Sequence, residues 1–455
     1  MPRATTPGRR GRGTGSRRLV PALLFTAPAA LLLGVIVGYP AVATVIRSLY
    51  DRSGQRFVGV DNYRTLFGTT TTLIAIRNNA IWVVVFPFLV TFIGLTFAVL
   101  TERVRWATAF TTIIFAPMAV SLFASGVIWR IVYETDPSRG LLNSAIATVA
   151  DALHPPGLYT GSNVRAASGL RGAAGGALVS TVSVSPAGTV QLGLTGIPPS
   201  AIPARATAAS PPQGAPGAVD GVVWRDFSPG GQVGVIDRGE VGLPGVRLTL
   251  RRAGGGAAGS AISAADGSFR FDGVAPGSYH VEVDAANFQP GFQGVNWLGT
   301  RSLTPTSGLG ETARSLLSVP LAVIAEIVAM LWIWCGFGMV VIGAGLAALD
   351  REVLEAARMD GAREWQTFRH VTLPLLWPVL TVVLVTMIIN VLKIFDIIVS
   401  IAPDSSQQQS TVLALEMWRI GFTGVGDKGV SSAVAVFLFV LVVPVILLNV
   451  RRVRG

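Results

Sequence analysis

The stretch EVLEAARMDGAREWQTFRHVTLPLLWP, residues 352–378, follows one long apolar run and leads into another, and its first half resembles neither. Glu355, Arg358, Asp360, Arg363 and Glu364 are charged, while Leu354, Ala357, Gly361 and Trp365 recur at intervals of three, four and four residues. On a helix that spacing makes a single stripe, and its small residues admit close approach of another backbone. Gly361 costs about 1 kcal/mol relative to alanine inside a helix, so it marks a bend or a tight contact. Pro374 suits the first turn of the helix that follows, where a missing N–H is tolerated. The stretch therefore predicts a short, charged, helical connector between two apolar helices.

Outward from it, residues 19–46, 80–101, 109–132, 316–349, 372–399 and 430–450 are each dominated by Leu, Ile, Val, Ala and Phe. A bilayer core of about 30 Å takes about 20 helical residues at about 1.5 Å each, so every run is long enough to cross it. The expected fold class is an α-helical membrane protein with six spans. The first run is too long for the apolar part of a cleavable signal peptide and reads as an uncleaved span. Basic residues near span ends stay on the cytoplasmic side. With the N-terminus inside, the inner segments hold the arginines of residues 3–18, Arg103, Arg105, Arg351, Arg358, Arg363, Arg369, Arg451, Arg452 and Arg454. The outer ones hold fewer: Arg47, Arg52, Arg56, Arg64, Arg77, Arg419 and Lys428. This asymmetry predicts cytoplasmic N- and C-termini and a cytoplasmic connector at 350–374.

Composition excludes several functions. Hydrophobic residues make up 51% of the 455 and charged ones 13%, against about 25% charged in soluble domains. Lysine occurs only at Lys393 and Lys428, neither preceded by glycine, so no GxxxxGK[ST] phosphate loop exists. ATP, if used, must bind another subunit. The single Cys335 excludes an internal disulfide, and His154, His280 and His370 lack metal-ligand spacing. No catalytic site, bound cofactor or metal centre is expected from these residues. Much of the +11 net charge is topological. The basic tail 1–18 lacks interleaved aromatics and reads as disordered, facing lipid rather than nucleic acid.

Between the third and fourth runs the topology places more than 180 residues outside the cytoplasm. Residues 151–220 read as a linker with possible strands at 177–197, the Pro-, Ala- and Ser-rich part 198–218 being unable to bury a core. Residues 221–288 differ: RLTL (247–250), SFRF (268–271) and YHVEV (279–283) alternate with period two and are separated by DG and PG turns. That pattern predicts an antiparallel β-sandwich insert, with 289–315 as the return linker.

Within the spans, Glu326, Asn390, Lys393 and Asp396 are costly polar groups and default to functional candidates facing a cavity. Lys393 and Asp396, at i and i+3, can also simply pair near the interface, with the lysine snorkelling outward. Trp332, Trp334 and Phe395 offer flat faces for sugar rings or serve as lipid anchors.

The connector resembles the EAA loop of ABC importer permeases: EAA, three residues, Gly, nine residues, an aliphatic, one residue, Leu-Pro. Glu355, Ala356, Ala357, Gly361, Val371, Leu373 and Pro374 occupy those places, with Asp360 beside them, and Val371 stands where isoleucine is commoner. FVGVDNYRTLF (57–67) and APMAVSLFASGVIWRIVYETDPSRGLLN (116–143) resemble the carbohydrate branch, of maltose and α-glucoside type. The resemblance implies a six-helix type I permease subunit in a bacterial cytoplasmic membrane. Its connector docks on an ATPase dimer that binds ATP and magnesium, beside a second permease and an extracytoplasmic sugar-binding protein. An ABC permease for a polyol, glycerol phosphate or peptide, and a membrane-anchored adhesin, are the alternatives. The insert resembles the B-type repeat of Gram-positive adhesins, of prealbumin-like class. That likeness implies calcium candidates at Asp226, Asp237 and Glu240, but Ser228 and Gly230 stand where further acidic ligands are expected.

Overall fold

The computed structural model describes residues 25–102, 104–160, 165–166, 169–227, 231–304, 308, 310, 313 and 317–454, with side chains except at 165, 166, 174 and 445–454. The tail 1–18, Arg103, Ser228, Gly230 and the side chains of Arg451, Arg452 and Arg454 lie outside the described residues. The chain divides into two compact units, residues 1–131 with 296–455, and residues 132–295.

In chain order the helices are α1 (Phe25–Arg47), α2 (Asp61–Gly68), α3 (Thr70–Thr101), α4 (Ala107–Phe115) and α5 (Leu122–Val132), followed by α6 (Leu141–Leu153) at the start of the insert. After the insert come α7 (Leu321–Ala347), α8 (Arg351–Met359), α9 (Glu364–Leu392), α10 (Asp396–Ile401), α11 (Asp404–Ser410), α12 (Leu413–Phe422) and α13 (Lys428–Arg454). Among the described residues α1, α3, α7 and α9 are each long and apolar enough to span a bilayer. A fifth crossing is formed if α4 and α5, bent by 102° at residues 120–121, count as one span. The expected continuous span 109–132 is therefore broken. Pro117 sits in a 3-10 turn and Val120 is extended, which ends the hydrogen-bond ladder there. The helix α13 has 27 residues, about 40 Å at the helical rise.

Two glycines set the central crossing of this unit. A Cβ on Gly94 of α3 would stand 2.7 Å from the carbonyl carbon of Gly338 on α7, so the two backbones touch. Close approach through small residues replaces the hydrophobic drive that water supplies elsewhere. At one end of the unit a polar knot ties α3 to the segment between α11 and α12. Asn78 Nδ2 donates to the carbonyls of Gln409 (2.8 Å) and Thr411 (2.7 Å), and the Leu413 amide donates to Asn79 Oδ1 (2.7 Å).

The expected fifth span, 372–399, also ends early. The helix α9 stops at Leu392, residues 393–395 break it, and α10 restarts at Asp396.

Among its described residues the insert carries nine strands: β1 (Arg165–Ala166), β2 (Leu170–Gly172), β3 (Leu178–Ser180), β4 (Thr189–Thr195), β5 (Val219–Arg225), β6 (Arg247–Arg252), β7 (Ala257–Ile262), β8 (Ser268–Phe271) and β9 (Tyr279–Val283). They form a sheet of order β1-β4-β5-β8 and another of order β2-β3-β9-β6-β7. Leu192, Val219, Leu248, Leu250, Val281 and Val283 share one buried core, as period-two alternation requires. The sandwich thus starts at residue 165 rather than 221. It is not wholly antiparallel either, because β4 and β5 pair in parallel, with Thr189 opposite Asp220. A parallel pair needs a long crossover, and residues 196–218 supply it. The supposed linker 198–218 is bonded to the sandwich, Thr207 N–H to the Ala265 carbonyl (2.9 Å) and Ala209 N–H to that of Glu240 (3.0 Å).

Candidate functional site

The connector folds as two pieces. Asp350 caps α8, its carboxylate accepting the Glu352 amide at 2.9 Å. The helix ends at Met359, and the Gly361 amide donates to the Arg358 carbonyl (3.0 Å) and that of Ala362 to the Ala357 carbonyl (3.1 Å). This is the hydrogen-bond pattern of a Schellman turn, with Gly361 at φ +82°. Gly361 therefore ends the helix rather than lying inside it. Nothing in this chain lies within 4 Å of its Cβ position, so within the chain Gly361 marks a turn and makes no tight contact.

The stripe divides accordingly. Leu354 and Ala357 are half-buried on α8, whereas Trp365 belongs to the next helix and stacks on Phe368 at 5.7 Å. Glu355, Ala356, Arg358, Asp360 and Gly361 are exposed, and Met359 is 88% exposed. A short helix ending in a sharp turn thus presents a knob with charged flanks. Its second half runs on into α9: Trp365, Phe368, Leu373 and Trp377 border an open cavity of about 450 Å³ with Phe88 and Phe92 of α3, and Trp365 and Trp377 are exposed. Val371 and Leu373 are half-buried and Pro374 exposed. Pro374 stands in the first turn of the α-helical part of α9, Leu373–Leu392, as expected, directly after a π-turn at Phe368–Thr372.

The intramembrane candidates are not brought together, since no hydrogen bond or ion pair joins any two of them among the described residues. Glu326 is fully buried, and neither carboxylate oxygen is hydrogen-bonded, although the Ser410 hydroxyl faces it. It therefore lies in packed interior and lines none of the cavities described here. Asn390 Nδ2 donates to the Thr386 carbonyl of its own helix at 3.0 Å. Lys393 and Asp396 are both exposed, and the break at 393–395 removes the helical register that their pairing needs. Trp332 meets Trp129 edge-on at 5.9 Å, and Phe395 meets Trp418 likewise at 5.8 Å. Sequence reasoning missed Arg77, Asn78, Asn79 and the buried Glu416, which accepts from Thr71 Oγ1 at 2.9 Å. The signal was the polar run 77–79 directly before the second apolar stretch.

In the insert the three acidic candidates hold backbone. Asp226 Oδ2 accepts from the Gly234 amide (2.6 Å) and Asp237 Oδ2 from that of Gln232 (2.8 Å). Glu240 Oε2 accepts from Trp224 Nε1 (2.9 Å) and the Asp237 amide (3.1 Å). Among the described residues no three acidic, histidine or cysteine side chains converge as a metal site. The three histidines serve locally or lie apart: one ring nitrogen of His280 bonds the Ser180 carbonyl (2.9 Å) and one of His370 that of Gln366 (3.1 Å).

Residues 312–453, which carry this connector and its flanking spans, match the family described as the binding-protein-dependent transport system inner membrane component. That stretch of the chain carries the domain of this family. The chain is 26% identical over 433 residues to the alpha-glucoside transport system permease protein of Rhizobium meliloti, covering 94% of this chain and 81% of that protein. It is 25% identical to the osmoprotective compounds uptake permease protein of Synechocystis, covering 95% and 98%. In fold it resembles the bacterial ABC transporter involved in import of the acidic polysaccharide alginate, with a TM-score of 0.51 at 14% identity and 96% of each chain covered. Residues 232–304 match the carboxypeptidase regulatory-like domain, which falls on the sandwich insert.

Proposed function

We propose that this permease is the membrane-spanning subunit of an ATP-driven importer for sugars or oligosaccharides. The observation that carries the coupling is the exposed knob of α8, in EAA spacing and closed by the Gly361 turn, with α9 beginning just beyond it at Glu364. An ATPase dimer holding ATP and magnesium grips this knob. Closure of the dimer then reaches α9 as a rigid-body push that switches the permease between inward and outward access. A second permease subunit completes the pathway, and an extracytoplasmic binding protein delivers the cargo. The alginate transporter has also been solved with a periplasmic protein carrying an alginate pentasaccharide, which supports that partner. Cytoplasmic termini and connector, and an extracytoplasmic insert, follow from the arginine asymmetry.

The alpha-glucoside relative favours an α-linked sugar as cargo, and the osmoprotectant relative favours a small compatible solute as the second reading. Radiolabelled uptake by the reconstituted complex, with and without ATP, across maltose, trehalose, an α-glucoside and a polyol separates them. ATP-dependent sugar uptake that is lost in Glu355→Ala supports the proposal. ATP-independent binding without uptake overturns it.

A further inference from the structure

The furrow between α9, α12 and α13 has a volume of about 580 Å³ and is lined by apolar side chains and one cation, Lys393. The helix α9 has 29 residues and starts at the connector, so it rises about 43 Å and places Lys393 at the opposite membrane boundary. Trp418, an amphipathic ring of the kind found at headgroup depth, lines the furrow beside Lys393, with the apolar ring of Phe395. Ile389, one turn deeper, and Leu438 and Val442 on α13 continue the furrow towards the bilayer centre.

No carboxylate oxygen lies within 4 Å of the Lys393 ammonium among the described residues. The nearest acidic residue in sequence, Asp396, starts a separate helix. An exposed cation above an apolar slot has the complementarity of a lipid: an anionic headgroup above and a hydrocarbon chain below. A polar solute would leave the slot unfilled, and an apolar one would leave the ammonium unpaired.

We propose that this furrow binds an anionic phospholipid of the leaflet opposite the connector, its phosphate on Lys393 and one acyl chain against Ile389, Leu438 and Val442. The charge of a zwitterionic headgroup is already neutralised, so the site discriminates by net charge.

Native mass spectrometry of the full chain in detergent, titrated with phosphatidylglycerol or phosphatidylcholine, tests this. Phosphatidylglycerol adducts should exceed phosphatidylcholine adducts by about fivefold, the advantage expected of one lysine at a membrane surface. Lys393→Gln should bring the two to parity, and Lys393→Arg should keep the preference, which separates loss of charge from loss of fold. Val442→Trp, which fills the slot and leaves the cation, should lower both lipids. An undiminished preference in Lys393→Gln overturns the proposal. So does displacement of phosphatidylglycerol by millimolar inorganic phosphate with no effect of Val442→Trp, since that describes a headgroup site without a chain slot.

Discussion

At Gly361 the backbone turns through φ +82° with open space where a Cβ would stand, so the requirement for glycine is conformational rather than steric. An L side chain in that region costs about 1–2 kcal/mol, and asparagine tolerates it better than other residues. Gly361→Ala should therefore lower ATP-dependent uptake by about tenfold if the strain falls wholly on the docked turn, 1.4 kcal/mol being a factor of ten. Gly361→Asn should recover most of the loss, and ATPase stimulation by substrate, measured alongside, should follow the same order. Equal loss in both variants would mean that the Cβ itself is excluded by a partner. Asp51 shows a different economy. Desolvation raises its pKa, yet hydrogen bonds from Ser53 Oγ and the amides of Arg56, Gln55 and Gly54 outweigh it and hold the value near about 2, against 3.8 for the free carboxyl. A depressed carboxyl contributes stability above the unfolded pKa and loses it as pH falls through the folded one. Amide exchange of residues 53–56, corrected for intrinsic rate, should stay protected near pH 4 and open towards pH 2. Asp51→Asn should remove that pH dependence.

Among the helices, the bends decide what moves as a unit. Apolar runs and basic flanks made the existence of the spans legible, because burial in lipid acts on composition over about twenty residues. Their ends were less legible. Pro117 stands at a break that the hydropathy of 109–132 concealed, while the stop at Leu392 comes without a proline. The EAA spacing stands in the sequence residue by residue, and its Gly361 falls where the structure ends α8. That it closes α8 instead of bending a longer helix depends on backbone hydrogen bonds that side-chain periodicity does not report. The α3–α7 crossing offers the sharpest test at this scale. At Gly94 a Cβ would meet backbone at 2.7 Å, and backbone cannot swing aside as a side chain does. Gly94→Val should cost at least about 1–3 kcal/mol of overpacking strain, read as a lower melting temperature and poorer membrane accumulation. Gly343→Ala on α7, whose Cβ would make only a 3.9 Å contact with Ala98, should be nearly silent in the same assays.

Over the whole molecule, two units with separate interiors share one chain. The helical unit buries its apolar surface by crossing helices, and its outer faces, such as α1 up to Val42, stay exposed for lipid or a partner subunit. The insert instead closes a core of its own from both sheets, with Leu192, Leu248, Leu250 and Val281 at most 1% exposed. Its extent was only half legible because 198–218 is poor in large apolar residues. The crossover is held by backbone hydrogen bonds to neighbouring loops, which composition does not encode. Separate cores imply separable melting. Leu248→Ala removes buried methyl groups from the insert and should cost about 2–5 kcal/mol there. Hydrogen exchange over residues 165–283 should then rise sharply while that over α3, α7 and α9 stays at the wild-type level. If the insert only rides on the transport unit, ATP-dependent uptake should also be unchanged below the insert's new melting temperature. If it receives the binding protein, uptake should fall at saturating ATP, and raising the binding-protein concentration should restore it. A simultaneous rise in exchange across both units would instead show that the two cores fold as one cooperative body.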